Sequence, residues 1–509
     1  MTQRFANSAQ AMRNGQPVRL ADIPNVEDRL FRKQLIEACE HGGRVMALFG
    51  HPEGYGLRLI GVVGFPERGA IQVTSTRVGD RFPALTPDLP QVHLFERELA
   101  EQWGVVPEGH PWFKPVRYHH SYRAGKDAWG RSQKARILPC VTEHYRLLGP
   151  EIHQVAVGPV HAGVIEPGSF RFQCHGEMVY HLEIHLGYQH RGLERKLNGG
   201  PNKRTFHYME TAAGDSSVAH ATAYAQILEG LADVQVPLRA QMIRGIGLEL
   251  ERLAAHTGDL GALADDIGFL PTQAFAGRLR GEFLNSTGTI CGNRMGRSLV
   301  RPGGVGWDID KERGEALSKR LRTALSEVKS GIDLLWTTPT VEARFEDCGS
   351  VSEANCRALG LVGMAARACG VEEDARRDFP TGIYRFSHVP VATWHTGDVM
   401  ARALVRAFEI DHSGDFILDQ LESMPESPLT AEVGSLAANA LVVSLCEGWR
   451  GEICHVAITG DDGKFKQYKI YDPSFHNWTG LSMALRSLAI SDFPLNNKSF
   501  NLSYCGHDL

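Results

Sequence analysis

Apolar and polar positions in the first part of the chain follow a pattern that predicts a small α/β unit. Positions 25–40 carry helical spacing, and Gly42 and Gly43 follow them as helix-ending residues. A second helix is predicted over 94–103. Short apolar runs separated by glycine and proline predict strands at 45–49, 57–63 and 70–73. We therefore expect residues 1–118 to form an N-terminal α/β domain.

Beyond this unit the pattern becomes mainly helical. Residues 119–148 are polar, basic and aromatic without periodicity, and they predict a linker or docking loop. Residues 155–186 alternate like strands, and from 217 to about 448 apolar residues recur at helical spacing. The expected fold class is α+β, with a large, mainly helical domain over 149–509.

The last part of the chain contains a strong hairpin signal. Apolar runs at 454–458 and 465–470 flank the sequence Gly-Asp-Asp-Gly. Glycine and aspartate at such a turn favour two antiparallel strands joined tightly. The large domain is therefore expected to carry β-hairpins as well as helices.

Composition and charge narrow the class of protein. Of the 509 residues, 43% are hydrophobic and 22% are charged, which is typical of a globular chain. The formal net charge of −5 argues against a nucleic-acid-binding surface. No apolar run reaches the roughly 18 residues that cross a bilayer, and the first residues lack the apolar stretch of a secretory signal. We expect a soluble chain on the cytosolic side and no nucleic-acid partner.

Cysteine spacing gives a more specific expectation. The chain has 10 cysteines, and no two of them form a C-x-x-C pair. Such pairs are the usual mark of zinc and iron–sulfur sites. We therefore expect no cofactor and no metal to be bound by this chain.

Histidines near the predicted strands are a second potential source of metal ligands. His181 and His185 are four residues apart, a spacing that brings ligands together on a helix. On a strand the two side chains share one face. Since cysteine or carboxylate partners at the usual spacing are missing, we do not predict zinc here.

An ordered set of short motifs resembles one superfamily, which joins the large subunits of membrane-bound (group 4) nickel–iron hydrogenases and the 49-kDa-type subunit of respiratory complex I. The motifs are Gly158–His161, Glu166–Phe172, Gly187–Arg195, Glu249–Leu253, Arg301–Val305 and Gly397–Asp398. The N-terminal part resembles the 30-kDa-type complex I subunit through Glu96–Glu98 and Gly109–Pro111. The fusion of the two is similar to formate hydrogenlyase large subunits.

The resemblance implies a set of partners and a location. It implies docking against an iron–sulfur small subunit that holds a 4Fe–4S cluster, and against complex I-like or antiporter-like membrane-arm subunits. It also implies a peripheral position on the cytoplasmic face of the inner (plasma) membrane. Quinone and formate dehydrogenase are the ligand and the further partner that such relatives suggest.

The chain departs from the hydrogenase pattern at the nickel ligands. The resemblance places the first pair of ligand cysteines at Ala213 and Ser216, and the second pair at Ser474 and Asn477. Nickel and iron prefer soft thiolate ligands, which these four residues do not provide. The resemblance therefore implies that the nickel site is lost.

The chain also departs from the complex I pattern for quinone. His161 stands in the loop that resembles the quinone loop, but the position of the headgroup histidine aligns with Ile165. The position of the headgroup tyrosine aligns with Gly214. The resemblance thus implies a retained cavity with changed polar groups.

Five residues are candidates for chemistry: His161, Glu166, Asp215, His220 and Asp472. A carboxylate at position 166 could relay protons or simply hold a turn. Residue 215, or Ser216 beside it, is expected to cap the helix that begins at 217. The histidine at 220 lies on an apolar helix face, where a satisfied core residue is the more usual case. The aspartate at 472, with His476, could join a polar cluster with residues 215 and 474. The interpretation we favour is that the serine and asparagine at the former ligand positions fill that pocket by hydrogen bonding.

Buried ion pairs are expected on an arginine motif of the helical domain. Arg402 and Arg406 are four residues apart on one predicted helix, with Asp398 before them and Glu409 after them. Structural ion pairing is the interpretation we favour over chemistry. It is expected to join Arg171, Arg191, Arg195, Arg402 and Arg406 to Glu194, Asp398 and Glu409.

Two functions follow from these observations. The first is a subunit of a membrane-associated electron-transfer complex that lacks a nickel–iron centre and couples electrons from a partner iron–sulfur subunit to quinone or proton chemistry. The second is a non-catalytic structural subunit that transmits conformational change to an ion-translocating membrane arm.

Overall fold

A computed structural model describes residues 9–54, 56–161 and 165–509. Helix accounts for 43% and strand for 20% of the structure, and the strands form several small antiparallel sheets. The fold class is therefore α+β, as predicted. Part of the loop-like motif near His161, residues 162–164, lies outside the described residues.

The strands lie at both ends of the chain and beside the linker. They are β1 Gln10–Met12, β2 Pro17–Arg19, β3 Asn25–Val26, β4 Arg44–Glu53, β5 Gly56–Phe65, β6 Ala70–Val78, β7 Arg81–Pro83, β8 Val106–Glu108, β9 Ile152–Val157, β10 Ser169–His175, β11 Met178–His185, β12 Val300–Arg301, β13 Gly304–Val305, β14 Ala440–Gly448, β15 Gly451–Thr459 and β16 Phe465–Tyr471.

The helices occupy mainly the middle of the chain. They are α1 Asp28–Glu40, α2 His93–Trp103, α3 Leu193–Leu197, α4 Thr205–Met209, α5 Ser217–Leu231, α6 Leu238–Asp266, α7 Leu270–Cys291, α8 Lys311–Trp336, α9 Pro339–Phe345, α10 Glu353–Leu359, α11 Gly363–Arg367, α12 Ala375–Asp378, α13 Val399–Glu422, α14 Pro473–Ala484, α15 Phe493–Phe500 and α16 Tyr504–Asp508. Short 3-10 turns lie at Leu20–Asp22, Pro66–Arg68, Pro90–Val92, Gly382–Arg385 and Ile490–Asp492.

The N-terminal unit is a five-stranded sheet covered by α1 and α2. Its strand order is β1-β6-β5-β4, and β3 pairs with β6 in parallel. Apolar side chains such as Phe31 and Leu35 on α1 and Phe95 on α2 are buried against this sheet. The predicted helices and strands of this region are all present, and each strand is longer than its apolar run suggested.

The middle of the chain is a bundle of long helices in which α6 packs against α7 and α13, and α8 packs against α7. Their buried faces include Leu250, Phe283, Leu321 and Ile417. The prediction that the helical region extends to about residue 448 was wrong, because the helices end at Glu422 and 440–448 forms a strand. That strand is buried along its whole length. Its apolar residues therefore form a continuous run rather than alternating with polar ones, and such a run does not distinguish a strand from a helix.

One sheet joins the two ends of the chain. Its order is β16-β15-β14-β2, so a strand from the N-terminal unit lies at the edge of a sheet built by residues 440–471. Asn14 strengthens this connection, since its side-chain amide donates to the Leu445 carbonyl at 2.9 Å and accepts from the Leu445 amide at 2.8 Å. Residues of both regions share one hydrophobic core.

Two smaller features position the site. The predicted hairpin is present: β15 and β16 pair antiparallel, and their turn places Gly463 at a φ of 73°, which favours glycine. The three-stranded sheet β11-β10-β9 follows a segment, 109–151, in which the structure has neither helix nor strand. This segment crosses from the N-terminal unit to the sheet without adding a strand to either.

Candidate functional site

The two stretches that correspond to the hydrogenase ligand motifs meet inside the protein. His220, in the first turn of α5, donates from Nε2 to the Asp472 carboxylate at 3.1 Å, although 252 residues separate them. Both side chains are fully buried, with 0% and 1% exposure. Of the five candidate residues, these two are the pair that the structure brings into direct contact.

A chain of hydrogen bonds continues from this pair. His220 Nδ1 lies 3.1 Å from His455 Nε2, and His455 Nδ1 lies 2.9 Å from the hydroxyl of Tyr468. One set of tautomers satisfies every member: each Nε2 carries the proton, and the tyrosine hydroxyl donates to the last ring nitrogen. We call Asp472, His220, His455 and Tyr468 the histidine relay.

Two members of the relay differ in their ionisation: Asp472 is held in its charged form and His455 in its neutral form. Burial opposes ionisation of Asp472, but the hydrogen bond and charge of His220 and the charge of Arg450 lower its pKa to about 2. Burial and the neighbouring His220 hold the pKa of His455 well below its usual range. At neutral pH the relay therefore holds an anionic carboxylate at one end and a neutral imidazole further in.

Asp472 has a second role in local structure. It precedes Pro473 and caps α14, since its Oδ1 accepts from the Ser474 amide at 2.8 Å. Gly506 packs directly over it, and a Cβ at that glycine would lie 2.7 Å from the Asp472 Cγ. The carboxylate is thus fixed from two sides.

The four positions at which the resemblance placed the nickel ligands are all buried: Ala213, Ser216, Ser474 and Asn477. Asn477 donates to the Val362 carbonyl and accepts from the Val362 amide, both at 3.0 Å. The hydroxyl of Ser474 accepts from the Ser503 amide at 2.8 Å. Two of the positions therefore hold backbone segments in place.

Asp215 does not cap α5, contrary to the prediction. It makes a bidentate ion pair with Arg450, at 2.6 and 2.8 Å, and its side chain is 45% exposed. Ser216 occupies the capping position but makes no side-chain bond to the helix. The Asp215–Arg450 pair instead links α5 to the turn between β14 and β15, and Asp215 does not reach Asp472 or Ser474 as a polar cluster.

A distant carboxylate takes the capping role at α5. Glu251, on α6, accepts from the amides of Val218 and Ala219 at 2.7 and 3.3 Å. Burial raises its pKa to about 8, an effect that the Val218 amide opposes and the charge of Asp215 reinforces. Glu251 is thus a carboxyl group that exchanges a proton near neutral pH.

Glu166 and His161 lie apart from the relay. Glu166 accepts from the Tyr504 amide at 3.3 Å, and His161 bonds through Nε2 to the Gly168 carbonyl at 2.9 Å. Ile165, at the position that the resemblance assigned to the headgroup histidine, is 48% exposed. Both polar candidates therefore bind backbone groups. Glu166 binds the amide of Tyr504 near the end of the sequence, and His161 binds a carbonyl seven residues further along its own loop.

The arginine pairings differ from those predicted. Glu409 pairs with Arg252 and Arg367, at 3.1 and 2.6 Å, and accepts from His256. Arg406 pairs with Asp259 at 2.8 Å. Arg402 donates to backbone carbonyls and to two side-chain oxygens, those of Ser499 and Asn496. The prediction of buried ion pairs was confirmed for Glu409 and Arg406, but their partners lie on helices distant in sequence.

A cavity of about 350 Å³ opens beside the Asp215–Arg450 pair. Its lining includes Asp215, Asp259, Trp449 and Asn501. Asn501 donates to Asp259 at 2.6 Å, and its carbonyl accepts from Arg450 at 2.5 Å. The cavity thus lies next to the guanidinium whose charge acts on Asp472.

Glu251 lies inside the motif Glu249–Leu253, which did not predict its contact with α5. Three further residues of the site lie outside the sequence motifs: His455, Tyr468 and Arg450. The first two lie on the facing strands β15 and β16, whose hairpin pattern says nothing about their polar positions. A histidine within a fully buried strand is itself an unusual signal, because buried polar groups need partners.

Comparisons with known proteins agree on one superfamily. A family model for the respiratory-chain NADH dehydrogenase 49 Kd subunit matches residues 266–440. Formate hydrogenlyase subunit 5 of Escherichia coli (strain K12) is 29% identical over 498 residues, which cover 94% of this chain and 86% of that protein.

Two further relatives represent the two branches. The carbon monoxide-induced hydrogenase of Rhodospirillum rubrum is 30% identical, and the match covers 67% of this chain and 95% of that protein. An NADH-quinone oxidoreductase subunit of Clostridium beijerinckii is 32% identical, and the match covers 66% of this chain and 91% of that protein. Within the described ranges, none of the helices has the length and apolar character needed to span a bilayer.

Proposed function

The chain belongs to the superfamily that unites membrane-bound hydrogenase large subunits with the 49-kDa-type subunit of complex I, and we propose that it serves a membrane-associated electron-transfer complex without a nickel–iron centre. In this proposal electrons arrive from an iron–sulfur partner subunit, and this chain manages the accompanying protons at a quinone or similar acceptor. Its relatives are subunits of hydrogenase and complex I-type assemblies.

The donor set supports the loss of nickel. Alanine offers no ligand atom, and serine and asparagine offer hard oxygen or amide groups where soft thiolates would be needed. Ser474 and Asn477 already use their polar atoms on the Ser503 and Val362 backbones. These side chains therefore do not fit a bridging role between two metals.

The histidine relay is the observation that carries the proposal. Reduction of a quinone to a quinol consumes two electrons and two protons, so a site for it needs ordered proton carriers. Imidazoles linked ring to ring can accept a proton on one nitrogen and release one from the other. The buried Asp472 carboxylate, 3.1 Å from His220 Nε2, holds the first ring of the relay in a fixed orientation.

The remaining partners follow from the same premise. We place the iron–sulfur small subunit and the membrane-arm subunits against this chain, and the chain itself as a peripheral subunit on the cytoplasmic face of the membrane. Formate dehydrogenase is a further partner class to be sought in the purified assembly.

The test uses the assembled complex purified through this chain. Reduction of a soluble quinone analogue is followed in the wild type, Asp472→Asn, His220→Gln and the exposed control Asp462→Asn. Loss of a proton carrier is expected to lower turnover about 100-fold, with the control unchanged. Equal turnover in all variants would overturn the role of the relay. Glu166→Gln in the same assay decides whether that carboxylate takes part, and nickel analysis of the complex is expected to find none.

A second function is favoured by one observation, the buried ion-pair network of α6, α11, α12 and α13. Glu409 holds Arg252 and Arg367, and Glu249 holds Arg376 at 3.0 Å. Such a network couples four helices rigidly and suits a structural subunit that transmits motion to a membrane arm. That function predicts that relay variants keep full activity, while variants of Glu409 uncouple ion movement from electron transfer.

A further inference from the structure

Three potential metal ligands, none of them a member of the relay, converge where the segment 119–148 meets the three-stranded sheet. They are Cys140 and His144, both half-buried on the segment, and His185, buried on β11. One ligand atom from each lies within 4.8 Å of the other two. His144 Nδ1 and His185 Nε2 are 3.2 Å apart.

These separations match a tetrahedral zinc site. With Zn–N near 2.0–2.1 Å and Zn–S near 2.3 Å, neighbouring ligand atoms lie about 3.3 to 3.6 Å apart. The two imidazoles already satisfy this, and the thiol needs to approach by only about 1 Å. Thiolate and imidazole are both ligands that zinc accepts, and three protein ligands with one open position are a recurrent zinc arrangement.

The surrounding residues are arranged to orient the ligands. The hydroxyl of Tyr118 lies 3.3 Å from His185 Nδ1, so it fixes the ring with Nε2 facing the site.

Glu183 stands beside the site as a support. Its carboxylate accepts from Trp112 Nε1 at 2.9 Å, from Lys114 Nζ at 2.5 Å and from the Tyr145 amide at 2.9 Å. Its oxygens lie 3.4 Å from His185 and 3.8 Å from His144. Three donors leave this carboxylate occupied, and the fourth zinc position is left to solvent at the half-buried side.

We propose that Cys140, His144 and His185 bind one zinc ion, which fastens the 119–148 segment to β11. Binding converts the thiol to a thiolate and releases its proton. The proposal departs from the expectation that this chain holds no metal, and it does not depend on the redox role proposed above. In a segment with neither helix nor strand, one such clamp would fix the path between the two parts of the chain.

The test is metal analysis of the purified full-length chain and its variants. The wild type is expected to hold about one zinc per chain, and Cys140→Ser and His144→Ala to lose it. The matched controls are Cys39→Ser and the exposed His153→Ala, which are expected to keep it. Tyr118→Phe is expected to bind zinc about 10- to 100-fold more weakly.

Cobalt substitution separates loss of a ligand from loss of the fold. The chelated wild type titrated with Co²⁺ is expected to show thiolate-to-metal charge-transfer absorption, which Cys140→Ser lacks. His144→Cys is expected to bind Co²⁺ with stronger charge-transfer absorption, a gain that unfolding cannot produce. Any of three results would overturn the proposal. The wild type could bind neither zinc nor cobalt, it could be purified with copper instead of zinc, or Cys140→Ser could retain as much zinc as the wild type.

Discussion

Asp472 Oδ2 and His220 Nε2 lie 3.1 Å apart in the protein interior, at the starts of two helices that are remote in sequence. The carboxylate serves an imidazole donor and an amide donor at once, because it also caps α14. Asp472 therefore both stabilises the start of α14 and supplies the negative charge next to His220.

Replacement of Asp472 is expected to destabilise the protein strongly. Asp472→Ala leaves His220 and the first turn of α14 without their acceptor. A hydrogen bond to a charged group is worth about 1.5–3 kcal/mol, and loss of a helix cap costs about 0.5–2 kcal/mol. Thermal unfolding measures this as a lower apparent melting temperature. The exposed Asp462→Ala serves as control, and an equal melting temperature for both variants would contradict the assignment.

Glu251 is expected to make stability depend on pH in an unusual direction. Its pKa rises on folding from 4.5 to about 8. The folded chain therefore holds a proton that the unfolded chain has lost, so stability is complete below about pH 4.5 and falls as pH rises towards 8, by at most about 1.4 kcal/mol per pH unit.

Glu251→Gln removes this titration and keeps an acceptor for the Val218 amide. The difference in melting temperature between this variant and the wild type is expected to grow in favour of the variant from about pH 5 to about pH 8. A difference that does not change with pH would contradict the raised pKa.

Asn477 is expected to act as a backbone clip. Asn477→Ala leaves the buried amide and carbonyl of Val362 without partners, at a cost of about 1–3 kcal/mol each. Urea unfolding is expected to begin at lower urea than in the wild type. Asn198→Ala, at an exposed helix end, is the matched control and is expected to leave the transition in place.

On helix α13, loss of a buried charge is expected to destabilise the protein more than loss of a surface charge. Glu409→Gln removes the carboxylate that holds Arg252 and Arg367 together, although each keeps a second carboxylate partner, and it should cost about 3–5 kcal/mol. Glu422→Gln, at the exposed end of the same helix, breaks a surface pair with Arg322 that is worth at most about 1 kcal/mol. Similar losses for the two variants in thermal unfolding would argue against the network as a stabilising unit.

Local patterns predicted the elements well, since the hairpin at 460–463 and the helices of the N-terminal unit depend on turn residues and periodicity. The two ligand-like motifs also identified His220 and Asp472, which the fold does bring together. The sequence could not reveal His455, which meets His220 across 235 residues, or Glu251, whose capping role replaces that of a neighbouring side chain. Such partners are chosen by tertiary packing, which leaves no periodic trace.

The histidine and cysteine cluster is hidden in the sequence for the same reason. Spacing relates His185 to its neighbours on the strand, whereas its partner His144 comes from a segment without helix or strand, 41 residues earlier. The predicted arginine pairings were wrong because they assumed partners close in sequence. Arg406 pairs with Asp259 on α6 and not with the nearby carboxylate of Glu409.

The edge strand β2 has a consequence for the order in which the protein is made. Asn14 and its partner Leu445 are 431 residues apart, and translation at roughly 5–20 residues per second separates their appearance by about 20–90 seconds. During that interval β2 has no sheet to join. The nascent chain must therefore either keep this segment unpaired or have it shielded by a chaperone, and the pairing of β2 waits until β14 has left the ribosome.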